Sequence, residues 1–115
     1  MLDKSRVSEK SIESKLRRKV TALGGLCLKF VSPGWTGVPD RIILLPGGRI
    51  AFAETKAPGK KETARQRYTQ ELLRSLGFTV FETVDGDAKI EEVVTFCLDS
   101  IHAAKVAEAR WRDGV

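Results

Sequence analysis

The chain has too few histidines and cysteines for the common zinc and nucleophilic sites. Its 115 residues include one histidine and two cysteines, and Cys27 and Cys97 lie seventy positions apart without a CxxC spacing. His102 cannot complete a zinc site with them, and it lies in an apolar segment of helical pattern. We therefore expect two free thiols, and neither a zinc site nor a catalytic triad of the serine or cysteine type.

Long apolar runs are also missing. The longest, within residues 41–46, is far shorter than the roughly 18 residues of a membrane span, and residues 1–5 lack the apolar core of a secretory signal. We expect a cytoplasmic protein with no membrane partner. A chain of this length fits one domain, and a hydrophobic content of 42% is enough for a core without disulfides.

The charge is positive. Lysine and arginine total 20 against 15 acidic residues, which gives a net charge of +5 and a pI near 9.5. Many ordinary basic domains share this balance, but it is compatible with an anionic partner such as nucleic acid.

Helix and strand patterns alternate in the order αβββαβα. Ile12, Leu16 and Val20 recur at helical spacing before Gly24 and Gly25, which predicts a first helix over about residues 8–23. The later elements are predicted as strands at 26–31, 41–45, 49–55 and 78–83 and helices at 62–76 and about 90–109. We expect an α/β fold in which a mixed central sheet, flanked by helices, carries a core over about residues 9–84 and an additional C-terminal helix.

Two details concern the later helices. The second helix is expected to bury one side, formed by Tyr68, Leu72, Leu73 and Leu76. Residues 110–115 have no clear packing partner, so we expect them to fray.

The hairpin between the second and third strands brings together the residues with the clearest chemistry. The turn Pro46-Gly47-Gly48 pairs Arg41 with Ala53, which places Asp40 opposite Glu54. Directly opposed carboxylates repel, so such a pair needs a cation, and the absence of nearby thiols or imidazoles favours Mg²⁺ or Mn²⁺.

Lys56 lies on the same strand face as Glu54, because side chains alternate along a strand. A hard metal ion and a lysine in one site are typical of phosphodiester hydrolysis, in which lysine orients water or neutralises the phosphate. The residue types alone also allow a plainer interpretation, in which Asp40 caps a turn and Glu54 and Lys56 form a solvated strand end.

These motifs resemble the VRR-Nuc family of the PD-(D/E)XK nuclease superfamily, and in particular its small stand-alone members from phages and prophages. The superfamily core is αβββαβ, in agreement with the predicted element order. The resemblance spans about residues 9–84 and rests on Gly24-Gly-Leu26, Lys29-Phe-Val-Ser-Pro-Gly34, Gly37-Val-Pro-Asp-Arg41, Glu54-Thr-Lys-Ala-Pro-Gly59 and Gln66.

The resemblance assigns a role to each residue of the hairpin site. It implies that Asp40 and Glu54 bind Mg²⁺ or Mn²⁺, that the backbone carbonyl of Thr55 adds a ligand, and that Lys56 is the catalytic lysine. Family members often have a branched apolar residue at the position of Thr55, so its side chain is not expected to matter. No organic cofactor is implied.

Two further catalytic residues come from the resemblance alone. It implies an acid on the first helix, which matches Glu13 and reaches the metal through water, and a glutamine on the next helix, which matches Gln66. Glu9 is an alternative to Glu13, and Glu13 could instead pair with Arg17 four residues along. Gln66 could simply be exposed.

A basic segment follows the catalytic lysine. Lys60, Lys61, Arg65 and Arg67 surround the start of the second helix, where backbone NH groups also favour a phosphate. Trp35, in the loop before Asp40, either stacks on a base or packs at a subunit interface.

Together these features predict a metal-dependent DNA endonuclease. The resemblance implies a homodimer that acts on branched DNA such as four-way (Holliday) junctions, in the cytoplasm of a bacterial host. The alternative is a DNA-binding module that keeps the fold without cleavage.

Overall fold

The computed structural model describes residues 7–114. Seven elements follow one another as α1 (Glu9–Ala22), β1 (Leu26–Lys29), β2 (Arg41–Leu45), β3 (Arg49–Thr55), α2 (Ala64–Ser75), β4 (Thr79–Val84) and α3 (Asp87–Asp113). The predicted α/β fold and its element order are confirmed.

The four strands form one mixed sheet in the order β1-β2-β3-β4. β1, β2 and β3 are antiparallel neighbours, whereas β4 runs parallel to β3. Leu45 pairs with Arg49 and Arg41 with Ala53, which is the register expected from the three-residue turn. This register brings Asp40, just before β2, to the end of β3.

Helices cover the sheet on both faces. α1 and α3 pack on one face, in a core cluster formed by Ile12, Leu16, Val20, Cys27, Ile43, Leu45, Ala51, Ala53, Val84, Ile90, Val93 and Cys97. α2 packs on the other face, around Phe52. The centre of the Phe52 ring lies 5.6 Å from the ring centre of Phe30 and 5.5 Å from that of Phe78. Glu54 and Lys56 follow Phe52 on this second face, because side chains alternate along β3.

Several element ends differ from the predicted ones. β1 stops at Lys29 rather than at residue 31, although the amide of Phe30 still donates to the carbonyl of Asp40 (2.8 Å). α2 begins at Ala64 rather than at residue 62, because Thr63 caps it. α3 is longer at both ends and stays helical to Asp113, so most of the tail expected to fray is ordered helix; Val115 lies outside the described residues.

The buried side of α2 also differs from the prediction. Tyr68 and Leu76 are 55% and 67% exposed, and Thr69 and Gln70 are buried in their place. The hydroxyl of Thr69 accepts a hydrogen bond from the indole of Trp35 (3.1 Å), so the helix presents a polar residue to the loop that crosses it. Within residues 7–114, no helix has the length and apolar character needed to cross a membrane.

Candidate active site

Asp40 lies beside the end of β3. Its Oδ1 accepts a hydrogen bond from the backbone amide of Thr55 (2.9 Å), which fixes the carboxylate next to Glu54. The loop before Asp40 is held on α2, because Arg65 donates from Nε to the carbonyl of Thr36 (3.1 Å). Gly37 has φ +84° and packs so closely that a Cβ would lie 2.9 Å from the Arg65 carbonyl oxygen, so glycine is needed there.

Glu54 and Asp40 form a pair of carboxyl groups with little solvent contact. Glu54 is 3% exposed, and its Oε1 has no hydrogen-bond partner among the described residues. Burial and the nearby charge of Asp40 raise the pKa of Glu54 to about 8, although Lys56 opposes the shift. Burial also raises the pKa of Asp40 to about 6, against hydrogen bonds from Thr55. Both shifts mean that ionisation of these two carboxyl groups costs free energy in the folded protein when no cation is bound.

Thr55 connects this pair to α1. Its hydroxyl lies within hydrogen-bond distance of Asp40 Oδ2 and of Glu13 Oε1, the latter at 3.1 Å. The side chain of Thr55 thus contacts both carboxyl groups, although its single hydroxyl hydrogen can be donated to only one of them at a time.

Glu13 points toward the hairpin rather than along its own helix. Its Oε2 accepts from Arg41 (3.2 Å), and this ion pair replaces the alternative pairing with Arg17. Burial would raise the pKa of Glu13, but hydrogen bonds from its neighbours and the charge of Arg41 lower it below the ordinary value.

The two candidate acids of α1 both approach Asp40. Carboxylate oxygens of Glu9, Glu13 and Asp40 all lie within 4.8 Å of one another, with Glu9 exposed and the other two half-buried. The structure thus brings both Glu9 and Glu13 to Asp40, and Glu13 in addition contacts Thr55 and Arg41. Hard oxygen donors of this kind fit Mg²⁺ or Mn²⁺ by their chemistry. Glu54 is not part of this cluster of three, but it lies near Asp40 and its Oε1 is unpartnered.

Lys56 and Gln66 are in direct contact. The ammonium of Lys56 donates to Gln66 Oε1 (3.0 Å), and the same oxygen accepts the backbone amide of Thr63 (2.9 Å). Gln66 occupies the third position of α2 and completes the capping box with Thr63, so the start of the helix places it. Gln66 is thus not simply an exposed residue of α2.

The basic residues predicted to bind DNA surround the start of α2. Lys60 and Lys61 are exposed on the preceding loop, and Arg67 donates to the carbonyl of Glu62 (2.8 Å). The guanidinium of Arg65 lies 4.7 Å from the centre of the Trp35 ring. The structure thus brings Trp35 and Arg65 together.

The chain is similar to known proteins in sequence and in structure. No protein-family model matches the sequence. The protein "Putative nuclease p44" of Acyrthosiphon pisum secondary endosymbiont phage 1 is 49% identical over 74 residues, which are 64% of this chain and 80% of that protein. A solved structure described as "VRR_NUC domain" superposes with a TM-score of 0.70 at 28% identity, and the match covers 76% of this chain and 94% of that one.

Proposed function

The chain belongs to the VRR-Nuc family, and on that premise we propose that it is a metal-dependent endonuclease that hydrolyses phosphodiester bonds in DNA. The observation that carries the proposal is the buried Glu54 carboxyl, which has an unpartnered oxygen and lies beside Asp40 and Lys56. Buried carboxyl groups without a donor are costly unless they bind a cation, so this arrangement suits a metal site better than a solvated strand end.

The residues that would hold the ion come from α1, from β3 and from the loop before β2. Asp40 and Glu54 supply carboxylate oxygens, the carbonyl of Thr55 adds a backbone oxygen, and Glu13 acts through water. A bound Mg²⁺ or Mn²⁺ would supply Lewis-acid polarisation of a phosphoryl oxygen and a water of lowered pKa. The hydroxyl of Thr55 keeps Asp40 and Glu13 in place for this purpose.

Lys56 and Gln66 act on the side of the site nearest α2. The hydrogen bond that Lys56 donates to Gln66 Oε1 restricts the lysine ammonium to one position, on the same strand face as Glu54. There the ammonium can orient the attacking water or neutralise charge that builds up on the phosphate. Gln66 is a positioning residue for Lys56 in this account.

DNA would lie along the exposed basic residues near the start of α2. Lys60 and Lys61 would contact phosphates, together with Arg65 and Arg67, and the ring of Trp35 would stack on a base. Contacts of this kind recognise the backbone and shape of DNA rather than its sequence.

We propose a homodimer for symmetric cleavage of branched DNA such as four-way junctions, because one site cuts one strand. The sheet face that carries α2 supports a second copy, since Leu26, Leu28 and Ile50 on that face are 54%, 44% and 36% exposed. The relative encoded by a phage supports action in the cytoplasm of a bacterial host.

The experiment compares synthetic four-way junctions with linear duplexes of the same sequence, in Mg²⁺, in Mn²⁺ and in EDTA, with light scattering for the oligomeric state. We expect junction cleavage in either metal and none in EDTA. Binding without cleavage in both metals would instead favour a non-cleaving DNA-binding module.

A further inference from the structure

We infer that Glu62 is a positioning residue for this site: its carboxylate holds a bulge at Thr83 in β4, next to Glu54, and thereby fixes the end of β3. The inference rests on the proposed nuclease function, because its main readout is the rate of DNA cleavage. The sequence pattern does not reveal this role, because it places Glu62 within the second helix.

The bulge lies opposite Glu54. Ala53 pairs with Phe81, but Thr55 pairs with Val84, so β4 has one residue more than β3 over this interval. Thr83 is in the left-handed region with φ +48°, and among the described residues it is the one non-glycine residue with a positive φ. A β-branched side chain is strained in that conformation, so neighbouring contacts must hold it there.

Glu62 supplies those contacts. Its Oε1 accepts the backbone amide of Thr83 (2.5 Å), and the hydroxyl of Thr83 lies 2.9 Å from Oε1 and 2.7 Å from Oε2. Glu62 is 8% exposed. Burial would raise its pKa, but the hydrogen bonds from Thr83 and the charge of Lys56 lower it, so the buried carboxylate is ionised and its hydrogen bonds are strong.

We call the contact between Glu62 and Thr83 the clamp. It lies close to Lys56, at the end of β3, and to Gln66, at the start of α2. The amide of Lys56 donates to the carbonyl of Val84 (3.0 Å), directly after the bulge. Gln66, which contacts the ammonium of Lys56, follows Glu62 by four residues, across the N-cap of α2. Release of the bulge would therefore shift Glu54 and Lys56 relative to Asp40, which lies just before β2, while the exposed Lys60 and Lys61 stay in place.

The test compares the full-length variants Glu62→Ala and Glu62→Gln with the wild type, with Glu71→Ala on the exposed side of α2 as the matched control. We expect Glu62→Ala to lower kcat by about 10² and to leave KM within about threefold, as misplacement by about 1 Å would. Glu62→Gln can still accept the Thr83 amide, so it should keep most of the rate.

A rescue variant separates the clamp from other roles of Glu62. Glycine adopts φ +48° without strain, so Thr83→Gly added to Glu62→Ala should restore most of kcat. Hydrogen exchange of the Lys56 amide should become faster in Glu62→Ala and return toward the wild-type rate in the double variant.

Three results would overturn the inference: an unchanged kcat in Glu62→Ala, an equal loss in Glu62→Gln, or no rescue by Thr83→Gly. If Glu62→Ala does not fold, the near-isosteric Glu62→Gln still separates two roles of Glu62, because it keeps the hydrogen bond from the Thr83 amide but removes the negative charge. If the wild type does not cleave DNA, the proposed function fails, but exchange at the Lys56 amide still tests the clamp by itself.

Discussion

Replacement of Glu54 by glutamine should stabilise the metal-free protein at alkaline pH, although it removes a proposed metal ligand. The buried carboxyl has its pKa raised from 4.5 to about 8, so the folded state holds a proton that the unfolded chain has lost. The stability that the folded protein gains from keeping this proton on Glu54 is fully present below about pH 4.5 and is lost as the pH rises through about 8.

The pKa difference sets the size of the effect. A rise from 4.5 to about 8 corresponds to about 5 kcal/mol between the two protonation states. Asp40 titrates together with Glu54 and shares this cost, so we expect a gain of about 2 to 4 kcal/mol in Glu54→Gln at pH 9. At pH 5 the wild-type carboxyl is protonated, so the two proteins should differ by less than about 1 kcal/mol.

Urea denaturation in EDTA at pH 5 and pH 9 measures this difference, and Glu108→Gln on the exposed side of α3 is the matched control. At pH 9 the Glu54→Gln gain should raise Tm by about 10 °C. Added Mg²⁺ should then stabilise the wild type and not the variant. An equal stability difference at both pH values, or a less stable variant at pH 9, would refute the assignment of a buried, uncompensated carboxyl.

Three further outcomes follow from the site and its surface. Lys56→Ala should slow single-turnover cleavage by about 10² to 10⁴-fold, while the Mg²⁺ affinity measured by calorimetry is kept or raised. Equal losses in cleavage rate and in Mg²⁺ affinity would make the lysine a structural partner of the carboxylates. Neutralisation of Lys60 and Lys61 together should reduce the slope of log affinity against log salt by about 2, and an unchanged slope would remove them from the phosphate contacts. Thr55→Val should lower the free energy of unfolding by about 1 to 3 kcal/mol in urea, and Thr55→Ser should restore it.

The hairpin and its register could be predicted from the sequence. The turn residues Pro46 to Gly48 leave few ways to pair the flanking strands, and side chains alternate between the two faces along each strand. For that reason Asp40 and Glu54 came together as expected. The same local rules identified α1, because Ile12, Leu16 and Val20 are all buried.

Contacts between distant elements could not be predicted in the same way. Glu9 and Glu13 lie one helical turn apart, so helical periodicity alone places both on one side, and the structure brings both to Asp40. The contact between Glu62 and Thr83 spans 21 residues and depends on a bulge, which strand alternation does not reveal.

The exposed apolar residues of α2 show a further limit of periodicity. Tyr68 fits the apolar pattern, yet its ring lies on the surface, 5.2 Å from the guanidinium of Arg65. Periodicity identifies which residues share a helix face, but not how far the neighbouring sheet extends beneath that face. The extent of the covered helix face depends on the length of α2 and on the loop of Trp35 that crosses it, and both depend on tertiary packing.

The central claim is that the carboxylates of Asp40 and Glu54 bind the metal ion that supports cleavage. Its most direct test measures Mg²⁺ binding by calorimetry and single-turnover junction cleavage in the same samples of wild type and Asp40→Asn, with the exposed Asp99→Asn as control. We predict that Asp40→Asn stays folded and loses both metal binding and cleavage, while Asp99→Asn keeps both. Near-normal cleavage by folded Asp40→Asn would contradict the account.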